Sequence, residues 1–186
     1  MLQEGDAIPS FSLASDDGKT VASSGLGKAV IYFYPRDNTP GCTREAQAFT
    51  AQAAAFKKRG VSVYGVSRDS LASHQKFRAS YKLGIPLLSD PDLAVHKAFG
   101  AWGEKTMYGK KVEGVIRSTF LVEGGRVQRV WPSVKVDGHA EAVLAHVGGG
   151  AAAPKKAAPK KAAPKKAAPK KAAPKKAAPK KTSKRK

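Results

Sequence analysis

The sequence VIYFYPRDNTPGCTREAQ, residues 30–47, contains the only cysteine of the chain, Cys42. Its first five residues are apolar, β-branched or aromatic, and this composition predicts a buried strand. Pro35 and the pair Pro40-Gly41 indicate a loop, and residues 43–58 favour a helix. Cys42 is therefore predicted where a helix begins, and the unpaired N–H groups and the helix dipole at that position favour a thiolate over a thiol.

The rest of the first 147 residues alternates predicted strands with predicted helices, which indicates an α/β fold. Strands are expected on both sides of Asp17-Gly18, at 61–66, at 87–88, and in a hairpin formed by 117–122 and 126–130. Helices are expected at 70–82, 93–99 and 138–147. The glycines and lysines of residues 101–112 predict an exposed loop.

The residues around Cys42 have a specific spacing, because Pro35, Thr39 and Cys42 form the pattern P-x-x-x-T-x-x-C. The longer string YFYPRDNTPGCTREA resembles the active-site segment of the peroxiredoxins, most closely the bacterioferritin-comigratory or Q-type subfamily. The resemblance covers about residues 2–147, from GDAIPSFSL near the start to GVIRSTFLV. It implies a thioredoxin-like fold with a central mixed sheet flanked by helices. It also implies an antioxidant thiol peroxidase of the thioredoxin-dependent type, which reduces hydrogen peroxide and organic hydroperoxides.

The resemblance and the chemistry of O–O cleavage together assign roles to five residues. Cys42 would be the peroxidatic nucleophile, and Arg117 would stabilise its thiolate and polarise the peroxide. The Thr39 hydroxyl could accept a hydrogen bond from one peroxide oxygen and donate to another. Pro35 lacks an N–H group and would help to shape and dry the pocket. Glu45 could orient Arg117 through a bidentate pair.

Each of these residues also has a plain structural explanation. Cys42 could be a small buried apolar side chain, and Arg117 could be one of many surface arginines. Thr39 could shape the loop or cap the helix, and Pro35 could simply end a strand. Glu45 could complement the helix dipole. The four histidines are not spaced as metal ligands, so we expect them to be surface or packing residues, with no metal and no cofactor.

The chain departs from one pattern of the Q-type subfamily, in which a second cysteine follows the first by five residues. Gln47 occupies that position here, and no other cysteine exists. We therefore expect an external thiol to reduce the sulfenic acid of Cys42: thioredoxin, glutaredoxin, another protein cysteine or a low-molecular-weight thiol. A disulfide between two Cys42 side chains would need local unfolding. The domain, residues 1–147, is expected to be a monomer or weak dimer.

A tail with a different composition begins at residue 148. The sequence AAPKK repeats six times over residues 152–181, and residues 148–186 carry 14 Lys and Arg185 without an acid. The tail thus supplies +15 of the formal charge of +20. A proline in every repeat and the lack of large apolar residues predict a disordered, extended chain. It resembles the Ala/Pro/Lys-rich tails of linker histones.

Such a tail predicts sequence-independent binding to DNA or another polyanion through residues 152–186. A solubilising tail, attachment to an anionic membrane surface and an added appendage are the alternatives. Neither a signal-peptide pattern nor a long apolar run occurs, so we expect a cytoplasmic protein without membrane insertion, associated with the nucleoid through its tail. The rival hypothesis is a chromatin-compacting DNA-binding protein with a vestigial peroxiredoxin domain. A disulfide reductase is disfavoured because the chain has no C-x-x-C pair.

Overall fold

The structure is a computed structural model that describes residues 1–107 and 110–147. The strands in these residues are β1 (Ser12–Ser15), β2 (Thr20–Ala22), β3 (Lys28–Phe33), β4 (Val61–Ser67), β5 (Leu87–Ser89), β6 (Trp102–Met107), β7 (Lys110–Val115), β8 (Ser118–Glu123) and β9 (Arg126–Trp131). The α-helices are α1 (Pro40–Lys58), α2 (Leu71–Tyr81), α3 (Ala94–Phe99) and α4 (His139–Val147). The tail at 148–186 lies outside the described residues, so its predicted disorder stays a prediction.

Seven strands form one mixed sheet in the order β2-β1-β5-β4-β3-β8-β9. Strands β3, β4 and β5 are parallel, whereas β8 runs antiparallel to β3. Side chains of β3 alternate between two cores, with Val30 and Tyr32 in one and Ile31 and Phe33 in the other. Because β3 is buried on both faces from Ala29 onward, residues 29–33 are continuously apolar rather than alternating.

Helices cover both faces of this sheet. Helices α1, α2 and α4 contribute Phe49, Phe77 and Val143 to the core that contains Val30. Helix α3 contributes Phe99 to the core on the other face. This arrangement confirms the predicted thioredoxin-like fold with a central mixed sheet. It also places the start of α1 just beyond the carboxyl end of a central strand, where α/β folds form their sites.

The prediction of an exposed loop at residues 101–112 is wrong, because β6 and β7 form a separate two-stranded sheet. Trp102 pairs with Val115 in this small sheet. Val115 belongs to the core that contains Phe99, and Trp102 packs against that core. Gly103, one of the glycines that suggested a loop, is a strand residue and pairs with Gly114. A Cβ atom at Gly114 would lie 2.8 Å from Cε of Lys105, so this glycine allows a close side-chain approach.

Several element boundaries differ slightly from the predictions. Helix α1 starts at Pro40, three residues earlier than expected, because proline suits the first position of a helix. Helix α2 follows Ser70, whose hydroxyl accepts a hydrogen bond from the Ser73 N–H at 3.3 Å. Strand β8 begins one residue after Arg117. No helix within the described residues is long and apolar enough to cross a membrane.

Candidate active site

Cys42 lies in the first turn of α1, as the sequence predicted, and is 2% exposed. The first helical hydrogen bond at this end runs from the Thr43 N–H to the Thr39 carbonyl oxygen at 2.9 Å. The N–H groups of Gly41 and Cys42 precede that bond and have no acceptor within the helix. The sulfur is therefore attached to a helix end that favours negative charge.

Arg117 reaches this helix end from the start of β8. Its Nη2 atom donates to Sγ of Cys42 at 3.2 Å, although 75 residues separate the two in sequence. A Cβ atom at Gly41 would lie 3.5 Å from the same Nη2, so the guanidinium lies across the first turn of α1. Burial opposes the charge of Arg117, but the nearby Glu45 and Cys42 keep its pKa above the ordinary value. A permanent cation thus faces the sulfur.

Glu45 lies behind Arg117 and is 1% exposed. Its Oε2 atom accepts a hydrogen bond from Nη1 of Arg117, whereas Oε1 has no hydrogen-bond partner among the described residues. The contact is therefore not the bidentate pair that the sequence suggested. Burial raises the pKa of Glu45 to about 7, and the charge and hydrogen bond of Arg117 only partly offset this effect.

Thr39 and Pro35 lie on the loop that precedes α1, and both are half-buried. Thr39 is the N-cap residue of α1, but its side chain makes no capping hydrogen bond. Its hydroxyl instead donates to the carbonyl oxygen of Arg36 at 3.1 Å. A hydroxyl has one proton, so in this arrangement Thr39 retains only lone pairs with which to meet a ligand.

The loop contains a second functional candidate, Asp37, that the sequence reasoning missed. Asp37 is 5% exposed, and its carboxylate contacts Nδ1 of His74 on α2 at 2.9 Å. Tyr34 and Ser73 also donate to it, at 2.8 and 2.7 Å. The position of Asp37 between Pro35 and Thr39 was the available signal, but its partner lies on a helix that the sequence does not connect to this loop.

The four histidines lie on three helices, α2, α3 and α4. His74, His96 and His139 are buried, and His146 contacts the ring of Trp131 edge-on with centroids 5.5 Å apart. Nε2 of His139 lies 2.8 Å from Oγ1 of Thr119. Burial, and then the charge of Arg117, lower the pKa of His139 to about 4. Within residues 1–107 and 110–147 no group of three or more potential ligands could hold a metal ion.

Comparison with known proteins agrees with this geometry. Residues 5–130 match the model of the AhpC/TSA family. A peroxiredoxin Bcp from Xanthomonas campestris is 53% identical over 117 residues, which cover 62% of this chain and 73% of that protein. The family match includes the loop, helix α1 and Arg117.

Solved structures from the same organism are also similar. A structure of Xanthomonas campestris peroxiredoxin Q has a TM-score of 0.71 and 45% identity, covering 75% of this chain and 90% of that one. A structure of the bacterioferritin comigratory protein from Xanthomonas campestris, described for its alkyl peroxide reduction activity, has a TM-score of 0.72 and 42% identity. It covers 77% of this chain and 98% of that one. The chain therefore belongs to the AhpC/TSA family and, within it, to the Bcp or Q-type peroxiredoxins, and it is a thiol peroxidase.

Proposed function

We propose that the chain reduces hydrogen peroxide and organic hydroperoxides through Cys42 as its single redox-active cysteine. The observation that carries this proposal is the 3.2 Å contact from Nη2 of Arg117 to Sγ of Cys42 at the start of a helix. A cation and a helix N-terminus act together on one sulfur, and both favour the thiolate that attacks peroxides. The alkyl peroxide reduction activity of the Xanthomonas campestris relative supports the inclusion of organic hydroperoxides.

In the first half-reaction the Cys42 thiolate attacks the terminal oxygen of the peroxide, and a new S–O bond forms as the O–O bond breaks. The sulfur is oxidised to a sulfenic acid, and the second oxygen leaves as an alkoxide or hydroxide that takes up a proton. Arg117 and the free N–H groups of the first turn face the oxygens on which negative charge develops. The Thr39 hydroxyl accepts the hydrogen bond of the peroxide O–H, and Pro35 forms part of the wall.

In the second half-reaction two external thiols restore Cys42. The first thiol attacks the sulfenic sulfur, forms a mixed disulfide and releases water, and the second attacks that disulfide and releases the reduced enzyme. Thioredoxin, glutaredoxin and low-molecular-weight thiols all provide this chemistry. Because Cys42 is the only cysteine of the chain, no internal thiol competes for the sulfenic acid, which excess peroxide then oxidises to sulfinic acid.

Steady-state kinetics of the Cys42→Ser variant test the proposal. Peroxide consumption with dithiothreitol or thioredoxin should fall to the uncatalysed rate in Cys42→Ser, and mass spectrometry of the wild-type protein should detect one added oxygen after one equivalent of peroxide. Cys42→Ser retains the shape of the side chain, so its fold is checked by circular dichroism. If Cys42→Ser consumes peroxide at the wild-type rate, another group performs the reaction.

We further propose that residues 152–186 bind DNA or another polyanion without sequence preference. Support comes from the sequence, in which residues 148–186 carry +15 and no acid. Binding through lysine and phosphate releases counterions, so the logarithm of the affinity should fall steeply and linearly with the logarithm of salt concentration. Such a tail would concentrate peroxide reduction near the nucleoid.

Gel-shift assays with two unrelated duplexes, performed at several salt concentrations, test the tail. Deletion of residues 148–186 should abolish binding and leave peroxidase activity unchanged, and Cys42→Ser should have the reverse effect. A strong preference for one duplex would contradict an electrostatic mechanism. The rival hypothesis of a vestigial peroxiredoxin domain is not favoured, because the family match extends over residues 5–130 and Arg117 contacts Cys42.

We propose a monomer or weak dimer for the same domain. Among the described residues the exposed large apolar side chains are Met1, Tyr81 and Val112, which belong to three different segments. Scattered single side chains of this kind do not form the contiguous patch typical of stable interfaces. Sedimentation velocity of the variant without residues 148–186 measures the oligomeric state directly.

A further inference from the structure

We propose that Asp37 and His74 are positioning residues for the oxidation of Cys42. They hold the loop of residues 35–39, so that Thr39 and the first turn of α1 meet the peroxide in one fixed arrangement. This inference rests on the proposed role of Cys42. It concerns how the loop is held rather than which atom reacts.

The Asp37 carboxylate is held by three donor groups from two parts of the fold. Its Oδ1 atom accepts from the Tyr34 hydroxyl at 2.8 Å, and Tyr34 directly follows β3. Its Oδ2 atom accepts from the Ser73 hydroxyl at 2.7 Å and lies 2.9 Å from Nδ1 of His74, both on α2. The side chain of Asp37 thus joins the loop to the end of β3 and to α2.

His74 extends this connection into the sheet. His74 is 0% exposed, and its Nε2 atom lies 3.3 Å from the carbonyl oxygen of Leu88 on β5. The Asp37 carboxylate and the Leu88 carbonyl oxygen thus lie at the two ring nitrogens of His74. Through its ring, His74 therefore links the Asp37 carboxylate to β5.

The loop backbone is held as well. The Asp37 N–H donates to Oδ2 of Asp69 at 2.8 Å, on the connection between β4 and α2. Asn38, the next residue, has a positive φ of 56°, so the chain turns sharply between Asp37 and Thr39. Thr39 then starts α1. Fixing Asp37 on two sides consequently fixes the hydroxyl of Thr39 and the direction in which the helix leaves the loop.

A reaction between a thiolate and a peroxide depends strongly on such fixed geometry. Displacing a group at a reaction site by about 1 Å can cost about a hundredfold in rate. Asp37 and His74 show no contact with the sulfur in the described part of the chain, so their effect on the reaction must pass through Thr39 and the first turn of α1.

The chain contains a matched control for this pair. Asp90 and His96 are also buried, and Nδ1 of His96 lies 2.6 Å from Oδ2 of Asp90. His96 belongs to α3, and its ring packs edge-on against the ring of Phe33, with ring centroids 5.0 Å apart. Phe33 belongs to the core on the face of the sheet that α3 covers, opposite the face covered by α2. Loss of either carboxylate removes a buried Asp–His pair, but only the pair at Asp37 holds the loop before Cys42.

The test compares Asp37→Ala, Asp37→Asn and Asp90→Ala, at a temperature where urea titration shows each variant folded. With thiol in excess, kcat/KM for peroxide should fall about 10-fold to 100-fold in Asp37→Ala, because the loop loses its anchor. Asp37→Asn should recover most of the rate, since its amide can accept from Tyr34 and donate to Nδ1 of His74. In Asp90→Ala, kcat/KM should stay within about twofold of the wild-type value. Equal losses in Asp37→Ala and Asp90→Ala would overturn the proposal, because both pairs would then be merely structural.

Asp69→Ala provides a second variant if Asp37→Ala does not fold. It removes the acceptor of the Asp37 N–H without leaving an unpaired buried charge at Asp37, and kcat/KM for peroxide should fall by about 3-fold to 10-fold. A rate equal to wild type in Asp69→Ala would contradict the loop-anchoring role. Wild-type protein and Cys42→Ser are measured in the same assay. Activity that persists in Cys42→Ser would refute the role of Cys42 itself, which distinguishes that failure from a failure of the positioning role.

Discussion

Two buried carboxylates on either side of Cys42 in the sequence, Asp37 and Glu45, have pKa values shifted in opposite directions. Each contacts a basic side chain, which is His74 for Asp37 and Arg117 for Glu45. Burial would raise the pKa of Asp37, but hydrogen bonds from His74 and Ser73 outweigh it, so the pKa lies below its usual value. Burial prevails at Glu45 and raises its pKa to about 7.

The two carboxylates differ in the number of hydrogen bonds that they accept, and the bonds from His74 and Ser73 help to lower the pKa of Asp37. Both oxygens of Asp37 accept hydrogen bonds from the described residues, whereas one oxygen of Glu45 has no partner among them. A carboxylate with saturated oxygens is a fixed structural anion. A carboxylate with one unpaired oxygen can change its charge near neutral pH, next to the cation that faces the reactive sulfur.

Among the substitutions that test this difference, Arg117→Ala should have the largest effect. It removes the cation at the Cys42 sulfur together with the hydrogen bond to Glu45, so the pKa of Glu45 should rise above about 7. We expect kcat/KM for peroxide to fall about 10²-fold to 10³-fold, as for the loss of one preorganised donor. Arg117→Lys should restore part of the rate, because it retains the charge but not the fork geometry.

The control for Arg117 is Arg44→Ala. Arg44 also lies near the start of α1, but its side chain is 63% exposed and pairs with the exposed Asp137. Surface ion pairs contribute little, so this variant should stay within about twofold of wild type. A similar loss in both arginine variants would mean that general positive charge, rather than the contact with the sulfur, supports the reaction.

The pH dependence of stability should distinguish Glu45 from Asp37 with a smaller effect. Because the folded pKa of Glu45 is about 7 and the ordinary value is 4.5, the folded protein binds more protons between these pH values. Stability should therefore fall as pH rises from 4.5 to 7, and a conversion of about 1.4 kcal/mol per pKa unit gives a loss on the order of 3 kcal/mol. Glu45→Gln cannot titrate and should not show this loss.

Urea unfolding of wild type and Glu45→Gln at several pH values measures this effect. The free energy of unfolding of the variant minus that of wild type should increase between pH 4.5 and 7, since other titrating groups cancel in the difference. Curves that stay parallel through this window would mean that Arg117 keeps Glu45 ionised in the folded protein. The two carboxylates would then behave alike.

The sequence predicted the parts of the site that follow from local patterns. An apolar run, a loop marked by two prolines and a helix-prone segment placed Cys42 at the start of α1, and the structure has it there. The proximity of Arg117 came from the family resemblance rather than from any local signal. The catalytic roles of these residues stay predictions until variants are measured.

The sequence could not predict features that depend on how distant segments meet. His74 and Asp37 are 37 residues apart, and only the packing of α2 beside the loop brings them together. The sequence also could not predict that only one oxygen of Glu45 accepts a hydrogen bond from Arg117. A sequence shows that two charged side chains can pair, but not how many carboxylate oxygens accept hydrogen bonds. The pairing of β6 with β7 was missed because the glycines and lysines of residues 101–112 indicate a loop unless the pairing of the two strands is known.

The smallest expected effect comes from Ser73→Ala, which removes one of the hydrogen-bond donors to Asp37. The Asp37 carboxylate would then accept fewer hydrogen bonds, as the Glu45 carboxylate does. The lost hydrogen bond of 2.7 Å should lower the free energy of unfolding by about 1 kcal/mol near neutral pH. Asp37 has a lowered pKa, so this contribution exists above the ordinary value of 3.8 and disappears as pH falls through the folded pKa. Ser80→Ala, at an exposed position of the same helix, controls for helix propensity. If both serine variants lose the same stability at every pH, the count of donors does not explain why the two carboxylates differ.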